Sequence, residues 1–302
     1  MTSSSIRTVG VVGTGVIGGS WTGLFLAKGL HVLVSDPAPG AEEKLAAYLD
    51  SIWRTLEQLG LAGNASKDNY RFVGETLEAH YGELDFVQEN APERLGIKIQ
   101  LIGEIDAGMR PDVIIASSSS GITSSHFIDN CQHPERVLIG HPFNPPHLMP
   151  LVEVVPNQKT SAENIKAELS FYKWLGKNPV LVKKEVPGFA ANRLQAGLCS
   201  EAYSLVRNGV LSAEDVVMAK ISGGGGGKYG FQHLMRHLGP AMEGWLEDMR
   251  AHSYDFGEDS LAVCEGSVQE MLGHVDPEEV GKQRDELLVK LLSLKVGASA
   301  LV

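Results

Sequence analysis

The stretch HPFNPPHLMPLVE, residues 141–153, holds two side chains able to work together on a proton. His141 closes the apolar run Val137-Leu138-Ile139-Gly140, and Glu153 sits inside a second apolar run, Leu151 to Val155. A neutral imidazole at the end of a strand can take a hydroxyl proton as hydride leaves the same carbon. A buried carboxylate on its other nitrogen would fix the tautomer and stabilise the imidazolium. The proline-bearing segment between them reads as a chain reversal that delivers Glu153 behind His141. The spacing leaves a plainer alternative open, a satisfied core histidine beside an edge-strand charge.

A second constellation concerns a cofactor. VVGTGVIGGS places Gly13, Gly15 and Gly18 in GxGxxG spacing, directly after a strand and opening a helix through Val16 and Ile17. HVLVSDP ends a second strand in Asp36. Glycines there let the backbone approach a pyrophosphate at the helix N-terminus, while the carboxylate bonds a ribose 2′-hydroxyl. Asp36 would repel a 2′-phosphate and no arginine follows it, so the expected cofactor is NAD rather than NADP. Glycines of a tight turn in an empty domain are the bland alternative.

Two more stretches bear on the same site. IIASSSSG leads a strand into serines 117–120 at that edge of the sheet, although serine runs also make ordinary polar loops. VPGFAANRL brings Asn192 to the start of the helical region, where asparagine is also a common capping residue.

The elements that must position these groups follow from the apolar pattern. Strands are predicted at Thr8–Val12, His31–Ser35, Arg71–Val73, Asp85–Gln88, Val113–Ala116, Val137–Gly140, Leu151–Val155 and Pro179–Val182. Amphipathic stretches separate several of them, at Val16–Lys28, Ala41–Leu59, Arg94–Ala107 and Ala162–Leu175. Such alternation predicts an α/β fold, a Rossmann-like, mostly parallel sheet with helices on both faces. Strand signals stop after residue 186. Helices are then predicted at Leu194–Asn208, beyond a Ser212 cap with Asp215 in the first turn, and at Tyr229–Met249, Gly257–Leu272 and Pro277–Leu294. The expected division is therefore an NAD-binding domain over 1–186 and an all-helical substrate and dimerisation domain over 187–302. A helical domain with so little core of its own suggests a homodimer.

Composition narrows the partners. A net charge of −11 argues against nucleic acid or an acidic membrane surface. No apolar run is long enough to span a bilayer. Cys131, Cys199 and Cys264 are sparse and form no CxxC, which with the absence of a signal-peptide pattern reads as a cytoplasmic protein with reduced thiols. No metal-ligand set is read.

Taken in order, GTGVIG, ENAPERLGIK, ASSSSG, GHPFNPPHLMPLVEVV and VPGFAANRLQ resemble the NAD-dependent L-3-hydroxyacyl-CoA dehydrogenases and their relatives that act on free hydroxy acids. The resemblance runs from the glycine loop to about Ser222, with a fainter match in the final helix. It implies that His141 and Glu153 are the catalytic pair, that Ser120 bonds the substrate oxygen and that Asn192 assists it. It also implies that Glu93 and Lys98 line the nicotinamide-ribose region and that Asn144 faces the cofactor. By their own pattern, Glu93 and Lys98 would read as a solvated helical charge pattern.

NRLQ, SEAYSLVRNGVLSAEDV and DPEEVGKQRDELLVKLLSLK are most similar to the branch of L-gulonate 3-dehydrogenases, lambda-crystallin included, and carnitine dehydrogenases. That branch implies a small anionic or zwitterionic L-3-hydroxy acid as substrate. A 3-hydroxyacyl-CoA and a non-catalytic, crystallin-like NAD-binding role are the alternatives. The sequence departs from the branch where Ile221-Ser222 runs into GGGGGKYGF, with a pocket-shaping segment missing and residues 223–227 reading as a linker.

Overall fold

The structure, a computed structural model, describes residues 6–216, 218, 229–273 and 276–295. The glycine run 223–227 lies outside them. By compactness the chain divides into Met1–Asp248 and Met249–Val302.

The first unit is built on eight strands: β1 Thr8–Val12, β2 His31–Ser35, β3 Tyr70–Phe72, β4 Phe86–Glu89, β5 Ile114–Ser117, β6 Val137–Pro142, β7 Leu151–Val155 and β8 Asn178–Leu181. Their order across the sheet is β3-β2-β1-β4-β5-β6-β7-β8. Every pairing is parallel except β6 with β7. The central strands are apolar on both faces because helices cover both. On one face, α1 (Val16–Ala27), α2 (Ala41–Leu59) and α4 (Ala162–Trp174) pack Trp21, Phe25, Leu45, Leu49, Phe171 and Tyr172 against Val9, Val11, Phe86 and Val154. On the other, α3 (Leu95–Gly108) sets Ile102 and Ile105 against Val87, Ile115 and Ile139.

Helix α2 shows the local logic. Leu45, Leu49, Ile52 and Leu56 recur at helical spacing and are its buried stripe, while Glu42 and Glu43 occupy the first turn, where the helix dipole favours acids. The chain steps outward from β1 to β2 and β3 and then returns to place β4 on the other side of β1, so the strand order reverses between β1 and β4. Such a switch point opens a crevice beyond the strands.

After β8 every described element is helical: α5 (Ala191–Arg207), α6 (Gly230–Ala251), α7 (Glu258–Leu272) and α8 (Pro277–Lys295). The compact units do not follow this change of secondary structure, because α5 and α6 as far as Asp248 belong with the sheet. The second unit holds α7 and α8. Ser212 and Asp215 form the expected cap, with the Ser212 hydroxyl 2.7 Å from Oδ2 and the Asp215 amide donating back at 3.0 Å. Val216 ends the described turn, and the continuation of that expected helix falls largely outside the described residues. Among the described residues no helix is long and apolar enough to cross a membrane.

Candidate active site

Strand β1 ends at the glycine loop. Gly13 has φ +85°, and a Cβ on it would lie 2.8 Å from the Asn90 carbonyl oxygen. A Cβ on Gly18 would be 1.9 Å from the Gly13 carbonyl oxygen, so only glycine lets α1 approach the strand this closely. Gly15 faces open space, and no side chain caps the start of α1, which leaves its first amides for an anion. Val16 is exposed at the first helical position and Ile17 packs against the core. Asp36 accepts from the Thr14 amide at 2.7 Å, the Thr14 hydroxyl at 2.8 Å and the Ala38 amide at 2.8 Å. Partial burial pushes its carboxyl up, but the Thr14 and Ala38 hydrogen bonds outweigh this and hold it below its ordinary value. Gly13, Gly15, Asp36 and Asn90 line one cleft of ≈ 720 Å³ with a largely apolar wall. The residues thus fit a dinucleotide: glycines at the closest approach, free helix amides and an ionised carboxylate at the end of β2.

At the far side of the switch point, the antiparallel pairing of β6 and β7 sets His141 directly opposite Glu153. His141 Nδ1 lies 2.9 Å from Glu153 Oε2. The other carboxylate oxygen accepts the backbone amides of Ala190 and Ala191, each at 2.9 Å. Both side chains are buried, at 6% and 1% exposure, so the carboxylate faces its partner without competition from water. Burial pushes the Glu153 carboxyl up, yet the His141 hydrogen bond and the two amides prevail and hold it below the ordinary glutamate value. The imidazole is wedged between Phe143 and Phe189, with ring centres 5.1 and 5.6 Å away. With Nδ1 engaged, Nε2 is the nitrogen left for a substrate.

The reversal between the two strands is tied down by groups that the sequence pattern did not single out. His147 Nδ1 is 2.7 Å from Ser20 Oγ on α1, and its amide donates to the same oxygen at 2.8 Å. Lys177 donates to the carbonyls of Met149, at 2.9 Å, and Pro146. Burial and nearby Lys28 push the Lys177 amine down to about 8. Asn144 is exposed on this loop and is joined to Pro145 by a cis peptide bond.

Glu93 and Lys98 are placed against the serine run. Glu93 Oε1 accepts from the Ser119 hydroxyl at 2.6 Å and from the amides of Ser120, Gly121 and Ile122 at 3.0, 3.0 and 3.1 Å. Lys98 is 1% exposed and binds both oxygens of Glu89, at 3.1 and 3.0 Å, with Glu93 at 3.7 Å. The solvated charge pattern that local sequence would allow is therefore absent for Lys98, whose ammonium is paired inside the protein.

Asn192 does not cap α5. Its amide group donates to the Ser120 carbonyl at 2.8 Å, while Glu153 supplies the acceptor at the start of that helix. The two pairs, His141–Glu153 and Ser120–Asn192, thus share the first turn of α5. Ser120 and Asn192 line a cavity of ≈ 190 Å³ completed by Gln195, Cys199, Tyr203, Met235, Leu238, Met242 and Trp245. Trp245 lies flat on Gly188, where a Cβ would come within 2.8 Å of the ring, and its edge faces Gly121. Arg193 binds Asp248 at 2.6 Å, which links α5 to the last described turn of the first unit's share of α6. The lining from α6 escaped sequence reading because Met235, Leu238, Met242 and Trp245 form a helical stripe indistinguishable from core.

A cleft that fits a dinucleotide lies at the switch point, and a buried histidine–carboxylate pair stands two strands beyond it on β6 and β7, an arrangement that suits nicotinamide-dependent dehydrogenation. The family model for the 3-hydroxyacyl-CoA dehydrogenase NAD-binding domain matches residues 8–186, and the chain belongs to that family. It is an NAD-dependent enzyme that oxidises a 3-hydroxy group. Among its relatives, a 3-hydroxyacyl-CoA dehydrogenase of Gibberella moniliformis is 46% identical, the match covering 97% of this chain and 96% of the relative. An L-carnitine dehydrogenase of Pseudomonas aeruginosa is 44% identical over 80% of this chain and 79% of its own length. A solved structure, that of 5-formyl-3-hydroxy-2-methylpyridine 4-carboxylic acid 5-dehydrogenase, an NAD+ dependent dismutase, is similar with a TM-score of 0.66 and 27% identity, covering 96% of this chain and 97% of that one.

Proposed function

We propose that this protein oxidises a small L-3-hydroxy acid, of the carnitine or gulonate kind, to the 3-oxo acid, with His141 as general base. The observation that carries this reading is the buried His141–Glu153 contact at 2.9 Å. Glu153 accepts at Nδ1, so Nε2 is free to receive the hydroxyl proton, and the carboxylate stabilises the imidazolium that results. Ser120 donates to the reacting oxygen, and Asn192 keeps the serine loop in place through the Ser120 carbonyl while presenting its own amide to the cavity. NAD, when bound, supplies the hydride acceptor. Gly13, Gly15, Val16, Ile17, Gly18 and Asp36 would hold its adenosine and pyrophosphate end, with Glu93, Lys98 and Asn144 on the nicotinamide side.

The carnitine-like substrate is supported by the lining of the cavity. Tyr203 and Trp245 offer aromatic faces, Met235 and Met242 offer polarisable sulfur, and no charged side chain is among the described lining residues. Such walls suit an apolar or quaternary ammonium end, through cation–π attraction, better than a bare carboxylate. The similarity to the 3-hydroxyacyl-CoA dehydrogenase of Gibberella moniliformis favours a second reading, a 3-hydroxyacyl-CoA substrate. The lack of a basic side chain among the described lining residues of this cavity weighs against it. We further propose a cytoplasmic homodimer that pairs through its helical region, with residues 187–302 serving substrate binding and dimerisation. NADH formation measured by absorbance with L-carnitine, L-gulonate, 3-hydroxybutyrate and 3-hydroxybutyryl-CoA tests the substrate. Highest kcat/KM for a free acid supports the first reading. Highest kcat/KM for the thioester overturns it in favour of the second, and NAD binding without turnover of any of them would point to a crystallin-like role.

A further inference from the structure

A chain of buried polar groups lies beneath the sheet, and the direction of every hydrogen bond in it is forced. At one end, Asn90 Nδ2 donates to the carbonyls of Val12, at 3.2 Å, and Gln88, at 2.9 Å. Carbonyls only accept, so Asn90 turns its oxygen toward Ser118, whose hydroxyl donates to it at 2.7 Å. With that proton committed, Ser118 Oγ accepts from Gln88 Nε2 at 3.0 Å. The same nitrogen faces the Gly140 carbonyl at 3.4 Å, which confirms the orientation of the amide. Gln88 Oε1 is then the acceptor for the Tyr172 hydroxyl at 2.8 Å. Tyr172 has one proton and has given it away, so its oxygen can only receive from a further group.

That further group is Glu168, one helical turn earlier on α4. Glu168 and Tyr172 are both 0% exposed. The Glu168 carboxyl adjoins the Tyr172 hydroxyl, and both press on the Cα of Gly140, where a Cβ would meet the hydroxyl at 2.0 Å and Glu168 Oε1 at 2.8 Å. As placed, neither Glu168 oxygen makes a well-aligned hydrogen bond to any described group. An ionised carboxylate there would set a bare charge against a lone pair in an apolar core. A protonated one completes the chain as its last donor. Burial independently pushes this carboxyl well above the ordinary range.

We propose that Glu168, held as the neutral acid, together with Tyr172 and Gln88, is a positioning device for the catalytic centre. This rests on the assignment of His141 as base. The chain ends at two functional places: the peptide of Gly140, which immediately precedes His141, and Asn90, which lines the cofactor cleft and packs on Gly13 and Gly18. Gly140 is a glycine because the Tyr172 hydroxyl and the Glu168 carboxyl occupy the space of its side chain. Breaking the chain frees the Gln88 amide to rotate and lets the Gly140 peptide shift, and with it the imidazole.

The variants Tyr172→Phe, Glu168→Leu and Glu168→Gln test this. Tyr172→Phe and Glu168→Leu lower kcat by roughly 10- to 100-fold, the usual consequence of misplacing a catalytic group by up to an ångström. The KM of the hydroxy acid changes far less. Glu168→Gln, which keeps a donor aimed at Tyr172, restores most of the turnover. Infrared difference spectra show the carbonyl band of a protonated, unhydrated carboxylic acid at neutral pH in the parent protein, and that band is missing from Glu168→Gln. Lower melting temperatures with unchanged kcat in the first two variants overturn the positioning role. Absence of the acid band overturns the protonation. The two failures are separable: if His141→Ala turns over normally, the catalytic reading itself has failed, whereas its inactivity beside a fully active Tyr172→Phe refutes only the device.

Discussion

Changing Glu153 to glutamine alters one atom and should remove most of the activity. In the native site Oε2 meets His141 Nδ1 at 2.9 Å, and Oε1 receives two backbone amides at 2.9 Å each. A glutamine has one oxygen and one NH₂ for these places. If the NH₂ faced Ala190 and Ala191, three donors would converge with no acceptor, which costs about 1–3 kcal/mol in a buried site. The oxygen therefore stays with the amides and the NH₂ turns to His141. Nδ1 must then accept, so the imidazole proton moves to Nε2, the nitrogen required to take the substrate proton. The base is present but in the wrong tautomer, and the carboxylate that stabilised its cation is gone. We expect kcat to fall roughly 10³–10⁴-fold, about 4–5.5 kcal/mol of barrier. NAD affinity should be unchanged, since Glu153 does not line the cofactor cleft. The assay is steady-state NADH formation beside calorimetric titration of NAD. A folded Glu153→Gln that binds NAD and retains kcat within about threefold, less than 1 kcal/mol, would refute the tautomer argument.

Other outcomes follow from the same geometry. Gly18→Ala places a methyl 1.9 Å from the Gly13 carbonyl oxygen, so the loop must shift, and NAD titration should show binding lost or weakened by at least about tenfold. Asp36→Ala removes an ionised acceptor and its repulsion of a 2′-phosphate; KM for NAD should rise roughly 10- to 100-fold, as for a hydrogen bond to a charged group, and the NAD over NADP preference should narrow in parallel assays. Lys177 titrates at about 8 in the fold against 10.5 for a free lysine. Its charged form is disfavoured in the folded state, so its penalty is fully present below about pH 8 and is relieved as pH rises toward 10.5. Thermal melts of Lys177→Met should therefore lack the part of the alkaline stability change that this amine contributes to the parent, and identical pH profiles would contradict it.

The sheet was legible because its strands are short apolar runs bounded by turn residues, a pattern that needs no tertiary information. The start of α5 was not. Its first amides are capped by Glu153, 37 residues and more away in sequence, so the helix begins at Ala191 instead of Leu194. For the same reason Asn192, which locally resembles a cap, is released to reach the Ser120 carbonyl. Spacing alone left the dyad beside a plainer alternative, since nothing in the chain states that β6 and β7 pair with His141 opposite Glu153. Lys98 read as a surface charge because its partner Glu89 lies on a strand across the interior. The Met235–Trp245 stripe and the Glu168–Tyr172–Gln88 chain were invisible because helical periodicity marks a face as buried without saying whether a core or a cavity lies behind it.

Transfer of hydride by the parent and by His141→Ala, each loaded with NAD and mixed with the best hydroxy acid of the panel, tests the catalytic reading most directly. In a single-turnover absorbance trace at 340 nm, the wavelength of reduced nicotinamide, about one NADH per site should form in the parent. His141→Ala, with NAD bound as tightly, should form it at least roughly 10²-fold more slowly. Equal rates in the two proteins would contradict His141 as the base.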